Sequence, residues 1–201
     1  MSILNKFDEN PLFKRLGRRG QNFRKMVEHV DYHVNVTRPE GRQLFIIETG
    51  TAWCKDNWEY QGQSTLIWDW LCAQQNETLS CISIDLLQEH IDIAKAQTKY
   101  IQYKVGDSVK TLSQIDKNIL QSTYLLYLDS FDWQESINMQ SAFHHIIELV
   151  AVYSSLPSGC MIAVDDRHGD GQGKHWFVEA FMTHIGLEPV FKNHQIGWVK
   201  E

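Results

Sequence analysis

Acidic residues recur at one kind of place in this sequence, directly after a short apolar run. Glu48 closes the run from Leu44, Asp85 follows Leu79 to Ile84, and Asp107 follows Tyr100 to Val105 by way of Gly106. Asp129 follows Tyr124 to Leu128, and Asp165 with Asp166 follows Cys160 to Val164. An ionised carboxylate is costly to bury without a partner, so five such positions together point to a polar ligand or a bound ion rather than to packing. Any one of them alone is often only a turn former or a helix cap. Two glycines accompany the first run: Gly50, after Glu48-Thr49, and Gly62, which with Gln63 and Ser64 opens the next helical segment. Glycine permits close backbone approach to a ligand, and a helix start offers free amides to its polar groups. Asp85 stands where nucleotide- and nucleoside-binding folds place the acid that accepts the ribose hydroxyls.

The elements that position these residues alternate between buried strands and amphipathic helices. Leu66, Ile67, Trp70 and Leu71 share one face of a helix over Ser64 to Ala73, and Leu87, Ile91 and Ala94 fall in register on a second over Leu86 to Gln97. Phe143, Ile146, Ile147 and Val150 give a third its apolar stripe before the breaker Leu156-Pro157-Ser158-Gly159. Trp176 to His184 is a further helix, ended by Gly186. The tail, Leu187 to Lys192 and Ile196 to Lys200 around Asn193-His194-Gln195, reads as a β-hairpin. Five strands with crossover helices predict an α/β, doubly wound, mostly parallel sheet with a C-terminal antiparallel β-hairpin, and ligands in such sheets bind at the carboxyl ends of the strands. Asp165 to Gly173 is a polar, glycine-rich stretch at that edge with the character of a loop that closes over substrate.

The 201 residues are enough for one domain with its own core, and 43% hydrophobic with 22% charged residues excludes a disordered or fibrous chain. Cys54, Cys72, Cys81 and Cys160 are scattered, without zinc or dithiol spacing. No run has signal-peptide or membrane-spanning character, so a cytoplasmic protein without a membrane partner is expected. Charge divides the chain: Met1 to Arg42 holds nine Lys or Arg against five Asp or Glu, the remainder ten against twenty. Residues 1–42 are therefore expected to form a basic helical arm and 43–201 the ligand-binding domain.

Glu48-x-Gly50, Asp85, Gly106-Asp107-Ser108 and the terminal hairpin, in that order, resemble the class I S-adenosylmethionine-dependent methyltransferases over nearly all of Leu44 to Glu201. The Gly-x-Gly-x-x-Gly turn of pyrophosphate-binding domains is absent. The resemblance implies a Rossmann-like, seven-stranded sheet and S-adenosylmethionine as cofactor. It implies Glu48, Thr49 and Gly50 at the methionine end, with Gly62 and Ser64 as the alternative glycine turn, Asp85 on the ribose, Asp107 and Ser108 beside the adenine, and Asp129 at the cofactor's edge. Thr51 to Gln61, with Trp53, Cys54, Trp58 and Tyr60, is an insertion relative to the family's tight turn, either an aromatic lid or a packed loop.

A narrower resemblance joins Leu128-Asp129-Ser130-Phe131 and Val164-Asp165-Asp166 to the metal site of catechol O-methyltransferase and of metal-dependent sugar and macrolide O-methyltransferases. It implies Asp129, Asp165 and Asp166 as ligands of a divalent cation such as magnesium, which would orient a hydroxyl and lower its pKa. The catechol enzymes carry a lysine three positions after the first metal Asp, where Asp132 stands here, so His168 is the expected proton acceptor with Asp129 beside it, ahead of His144 or His145. The expected partner is a small-molecule methyl acceptor. Metal-independent transfer and a cofactor- or partner-binding protein without turnover stay open, as does a homo-oligomer joined through the basic segment. Nucleic acid is not expected, because the Asp/Asn-Pro-Pro-Tyr/Phe motif is missing after the fourth strand.

Overall fold

The computed structural model describes residues 1–59, 63–75 and 77–201. Gly62, one of the expected cofactor glycines, lies outside the described residues, as do Tyr60 and Gln61 of the insertion. The chain begins with α1 (Ile3–Glu9), a 3-10 segment (Phe13–Arg19) and α2 (Gly20–Tyr32). It continues through β1 (Leu44–Thr49), α3 (Ser64–Gln74), β2 (Leu79–Asp85), α4 (Gln88–Lys95), β3 (Ile101–Val105), α5 (Ser108–Ser113), α6 (Lys117–Leu120) and β4 (Thr123–Leu128). After α7 (Asn138–Val152) come β5 (Met161–Val164), the short strands β6 (Arg167–Gly169) and β7 (Gln172–Gly173), α8 (Trp176–His184), β8 (Phe191–Lys192) and β9 (Ile196–Val199).

Seven strands form one sheet in the order β3-β2-β1-β4-β5-β9-β8. Pairing is parallel from β3 to β5 and antiparallel between β5 and β9 and between β9 and β8. The order reverses at β1, whose neighbours are β2 and β4, so the carboxyl ends of β1 and β4 flank the switch point where such sheets hold ligands. This is the expected α/β doubly wound sheet with its C-terminal antiparallel pair.

Strand alternation distributes the apolar side chains over both faces, as a sheet covered on both sides requires. Leu44, Ile46, Leu125, Tyr127, Met161 and Ala163 pack with α2 and α3, whereas Ile47, Leu126, Leu128, Ile162, Val164 and Trp198 pack under α7 and α8. Phe23, Met26, Val27 and Val30 of α2 are buried in the first of these layers, so the N-terminal helices cover one face of the sheet. Several of their charges are paired: Arg15 with Asp56 and Glu59, and Arg24 with Asp8. No described helix is long and apolar enough to cross a membrane.

Two expectations are corrected. Three of the four apolar positions read for α7 do not face the core: Phe143, Ile147 and Val150 are exposed and only Ile146 packs against it, while Ser141, Ala142, His145, Glu148, Leu149 and Val152 are buried. The inward face combines Ala142, Leu149 and Val152 with a polar network, in which Ser130 Oγ donates to Glu148 Oε1 at 2.7 Å and Thr49 Oγ1 to Oε2 at 3.3 Å. Hydrogen bonds at the strand ends thus outrank the hydrophobic pattern of an isolated helix. The stretch after Asp166 is not an irregular loop but the β6–β7 hairpin. It is tied to α7, where Asn138 Oδ1 accepts from the Gly173 backbone N–H at 2.8 Å and from Trp133 Nε1 at 2.6 Å.

Candidate active site

A cavity of about 600 Å³ opens at the carboxyl ends of β1, β2, β4 and β5. Its walls include Gly50, Ser64, Asp85, Asp107 and Ser108 on one side, and Asp129, Asp165, Asp166 and Lys174 on the other. The expected strand-end acids are therefore brought together, with one exception.

That exception is Glu48. It is fully buried and off the cavity wall, accepting from Thr65 Oγ1 and Ser83 Oγ at 2.7 Å each and from Trp68 Nε1 at 3.0 Å. Burial pushes its carboxyl up to about 7, against the pull of those donors. Glu48 fastens α3 to β1 and β2, because its side chain falls on the face of the strand that α3 covers. Thr49 is also buried away from the cavity, bonded to Glu148.

Gly50 carries φ +80, and a Cβ there would collide with the backbone carbonyl of Asp129. Glycine lets the ends of β1 and β4 close on each other and leaves bare backbone on the wall. Asp85, at the end of β2, accepts from the backbone N–H of Thr51 at 3.1 Å and of Leu87 at 2.9 Å, with His90 Nδ1 3.2 Å away. Asp107 caps α5 through the Lys110 N–H at 2.8 Å, and Ser108 Oγ lies 2.9 Å from His144 Nε2. This half of the cavity presents bare backbone at Gly50, the Asp85 carboxylate at the end of β2, and Ser108 at the start of α5. The inserted segment divides its aromatics. Trp58 packs against Phe13 in the core, and Trp53 stands on the rim 6.0 Å from His90.

The other half is built round a lysine that the sequence pattern did not single out. Lys174, at the end of the hairpin, is 1% exposed, and its Nζ contacts Asp129 Oδ1 at 2.5 Å and Asp166 Oδ2 at 3.1 Å. Burial alone would lower its pKa, but Asp129, Asp166 and Asp165 outweigh that and hold the ammonium above the ordinary lysine value. The carboxyl of Asp129 is pushed upward by burial and by Asp165 and Asp166, with Lys174 opposing. Asp166 is held low despite burial by Lys174, His194 and Arg19. It has φ +50, a conformation unusual for a residue other than glycine and one that aims its carboxylate at these cations.

The acids do not fit a divalent ion as they stand. Asp165 Oδ2 accepts from the Tyr127 hydroxyl and Oδ1 from the Asp166 backbone N–H, each at 2.8 Å. The Arg19 guanidinium lies 3.3 Å from Asp166 Oδ1 and 3.8 Å from Asp165 Oδ1. Asp165, Asp166 and His194 offer ligand atoms within 4.8 Å of one another, but Arg19 already engages the same carboxylate oxygens. Hard divalent ions need several oxygen ligands free to come within roughly 2.0–2.6 Å.

His168 does not reach the chemistry. It is exposed on β6, stacked on Trp133 with ring centroids 3.8 Å apart, and is not on the cavity wall. The hairpin that turns Lys174 inward carries His168 outward. Of the helical pair, His144 lines the cavity, while His145 is buried with Nδ1 donating to the Ser141 carbonyl at 2.7 Å. The only sequence signal for Lys174 was a cation, one of two with Arg167, in a glycine-rich stretch after two acids.

No protein-family model matches the sequence, and a search of curated proteins finds no match. Solved structures do match. CalS11, a TDP-rhamnose 3′-O-methyltransferase of calicheamicin biosynthesis, aligns at TM-score 0.61 and 14% identity over 91% of this chain and 80% of its own. A putative O-methyltransferase from Klebsiella pneumoniae aligns at 0.56 and 12% identity over 96% and 91% of the two chains. MycE, a methyltransferase of the mycinamycin pathway solved with Mg and SAH, aligns at 0.55 and 14% identity over 86% of this chain, which spans 48% of the length of MycE. With its strand order, its terminal antiparallel pair and these alignments, the chain has the class I S-adenosylmethionine-dependent methyltransferase fold.

Proposed function

We propose that this protein transfers a methyl group from S-adenosylmethionine to a hydroxyl of a small molecule, with Asp129 receiving the hydroxyl proton. The observation that carries this reading is a cavity whose one half suits a nucleoside, at Gly50, Asp85 and Ser108, and whose other half presents the half-buried Asp129 carboxylate and the buried Lys174 ammonium. Similarity to proteins described as O-methyltransferases supports oxygen as the acceptor atom.

The bound cofactor supplies an electrophilic methyl on a sulfonium. With the cofactor bound, an acceptor hydroxyl held at that methyl would lose its proton to the Asp129 carboxylate as its oxygen took the methyl and sulfur kept the electron pair. Lys174 fixes the Asp129 carboxylate through Oδ1. A carboxyl raised by burial holds the arriving proton better than an exposed one. Trp53, Phe131 and Trp133 line the cavity and offer faces to an apolar or sugar-like acceptor while limiting water.

Calorimetric titration of S-adenosylhomocysteine tests the cofactor half. The unchanged protein is expected to bind it, and Asp85→Ala to weaken it by about tenfold or more, the loss of a ribose-binding charge-assisted hydrogen bond. No binding by the folded unchanged protein refutes the reading.

A further inference from the structure

We infer that the Lys174 ammonium stands in the place of a divalent metal ion, a cation tethered to the chain, so that the acid cluster of this fold works here without bound metal. The consequence for turnover, that methyl transfer needs no magnesium, rests on the function proposed above; the exchange of cations does not.

The geometry is specific. Nζ of Lys174 bridges one oxygen of Asp129, at the end of β4, and one of Asp166, after β5, which are the two strand ends that a shared metal would join. It also donates to the Asp129 backbone carbonyl at 3.3 Å. Both oxygens of Asp165 and the second oxygen of Asp166 are held by Tyr127, the Asp166 backbone and Arg19. A buried ammonium is tolerated only with such partners, so Lys174 and the acids are mutually required. A divalent ion bound to the same oxygens would sit within a few ångströms of Nζ in a poorly screened site, where like charges repel strongly. Lysine and metal are therefore alternatives.

The lysine is also hard to displace. Its backbone N–H bonds the Asp166 carbonyl at 3.3 Å, and Gly173 beside it packs so closely that a Cβ would strike the same carbonyl. Asn138 holds the Gly173 N–H from α7. With Lys174 and Arg19 both engaged, the three carboxylates already have two countercharges without any ion.

The test is titration of the full-length protein with Mn²⁺, followed by the loss of the free-ion electron paramagnetic resonance signal, with S-adenosylhomocysteine calorimetry on the same samples. The unchanged protein is expected to leave Mn²⁺ free up to about 1 mM. Lys174→Met keeps the stem and removes the charge, and is expected to bind one Mn²⁺ per chain at least about tenfold more tightly, with the gain abolished by adding Asp166→Asn. Binding below about 1 mM by the unchanged protein, removed by Asp166→Asn alone, overturns the inference. So does a Lys174→Met protein that is folded by circular dichroism yet gains no Mn²⁺; if that variant does not fold, the unchanged protein decides alone. Absence of S-adenosylhomocysteine binding would refute the methyltransferase reading and leave the Mn²⁺ result to judge the cation by itself.

Discussion

Asp129 and Gly50 meet on the cavity wall, one supplying a carboxyl group and the other the absence of a side chain. Replacing Asp129 with Asn preserves shape but removes the proton acceptor. Turnover, read as S-adenosylhomocysteine released with a panel of small hydroxylated acceptors, is expected to fall by about 10²–10⁴-fold. Cofactor-product affinity should change by less than about threefold. Equal losses in both would make Asp129 a binding residue instead. Gly50→Ala meets two obstacles, a left-handed φ and the Asp129 carbonyl in the path of the new methyl. A destabilisation of about 1–3 kcal/mol is expected from chemical denaturation, and an unchanged midpoint would show that β1 and β4 can separate there. Gly50 and Asp129 were both expected at the strand ends from sequence, and both line the cavity. Glu48 looked the same but faces the other way, and only the side chains that meet it, Thr65, Ser83 and Trp68, reveal that.

At the scale of elements, the β6–β7 hairpin turns an acid pair into a working site by returning Lys174 to it. Asn138, at the start of α7, is the clasp. Asn138→Ala removes acceptors for Gly173 and Trp133, and is expected to cost about 1–2 kcal/mol of stability and to lower turnover while leaving S-adenosylhomocysteine affinity in place. A variant that loses stability but keeps full turnover would show that Lys174 is positioned without the hairpin. The outward face of α7 makes the opposite case. Phe143 is 56% exposed and touches Phe177 edge-on, so Phe143→Ser should shift the unfolding free energy by no more than about 0.5–1 kcal/mol, far less than a core phenylalanine.

Across the whole molecule, five histidines, His29, His33, His145, His168 and His175, bind protons less readily when folded. Burial lowers His29, His145 and His175 to about 4 each. The unfolded chain takes up these protons near its ordinary histidine value of 6.5, so their stability contribution is complete above that pH and is lost as pH falls towards 4. Glu48 works in the other direction. Raised to about 7, it is protonated in the folded protein where the unfolded chain has ionised it, and its contribution fades as pH rises from 4.5 to 7. Set against Glu48, the three histidines leave a net loss of stability on acidification around pH 5 to 6, in the same direction as His33 and His168. The melting temperature is expected to be lower at pH 5.5 than at pH 7.5. An equal or higher value at pH 5.5 would mean that these rings are hydrated in the native protein.

What the sequence by itself determined is the frame: the alternation of strands and helices, the C-terminal hairpin, and acids after the strands. These are local properties, fixed by periodicity over a few residues and by the rule that parallel strands expose their carboxyl ends at one edge. What only the tertiary structure decided is which acids face that edge and which cation meets them. Glu48 turns into the packing of α3, and His168 turns away on the strand that leads to Lys174. Arg19, read as one charge of a basic arm, crosses from the N-terminal segment to Asp165 and Asp166. The reason is physical: a charge's partner is set by distance in space, and Arg19 and Lys174 approach their acids through different elements whose packing no local pattern encodes.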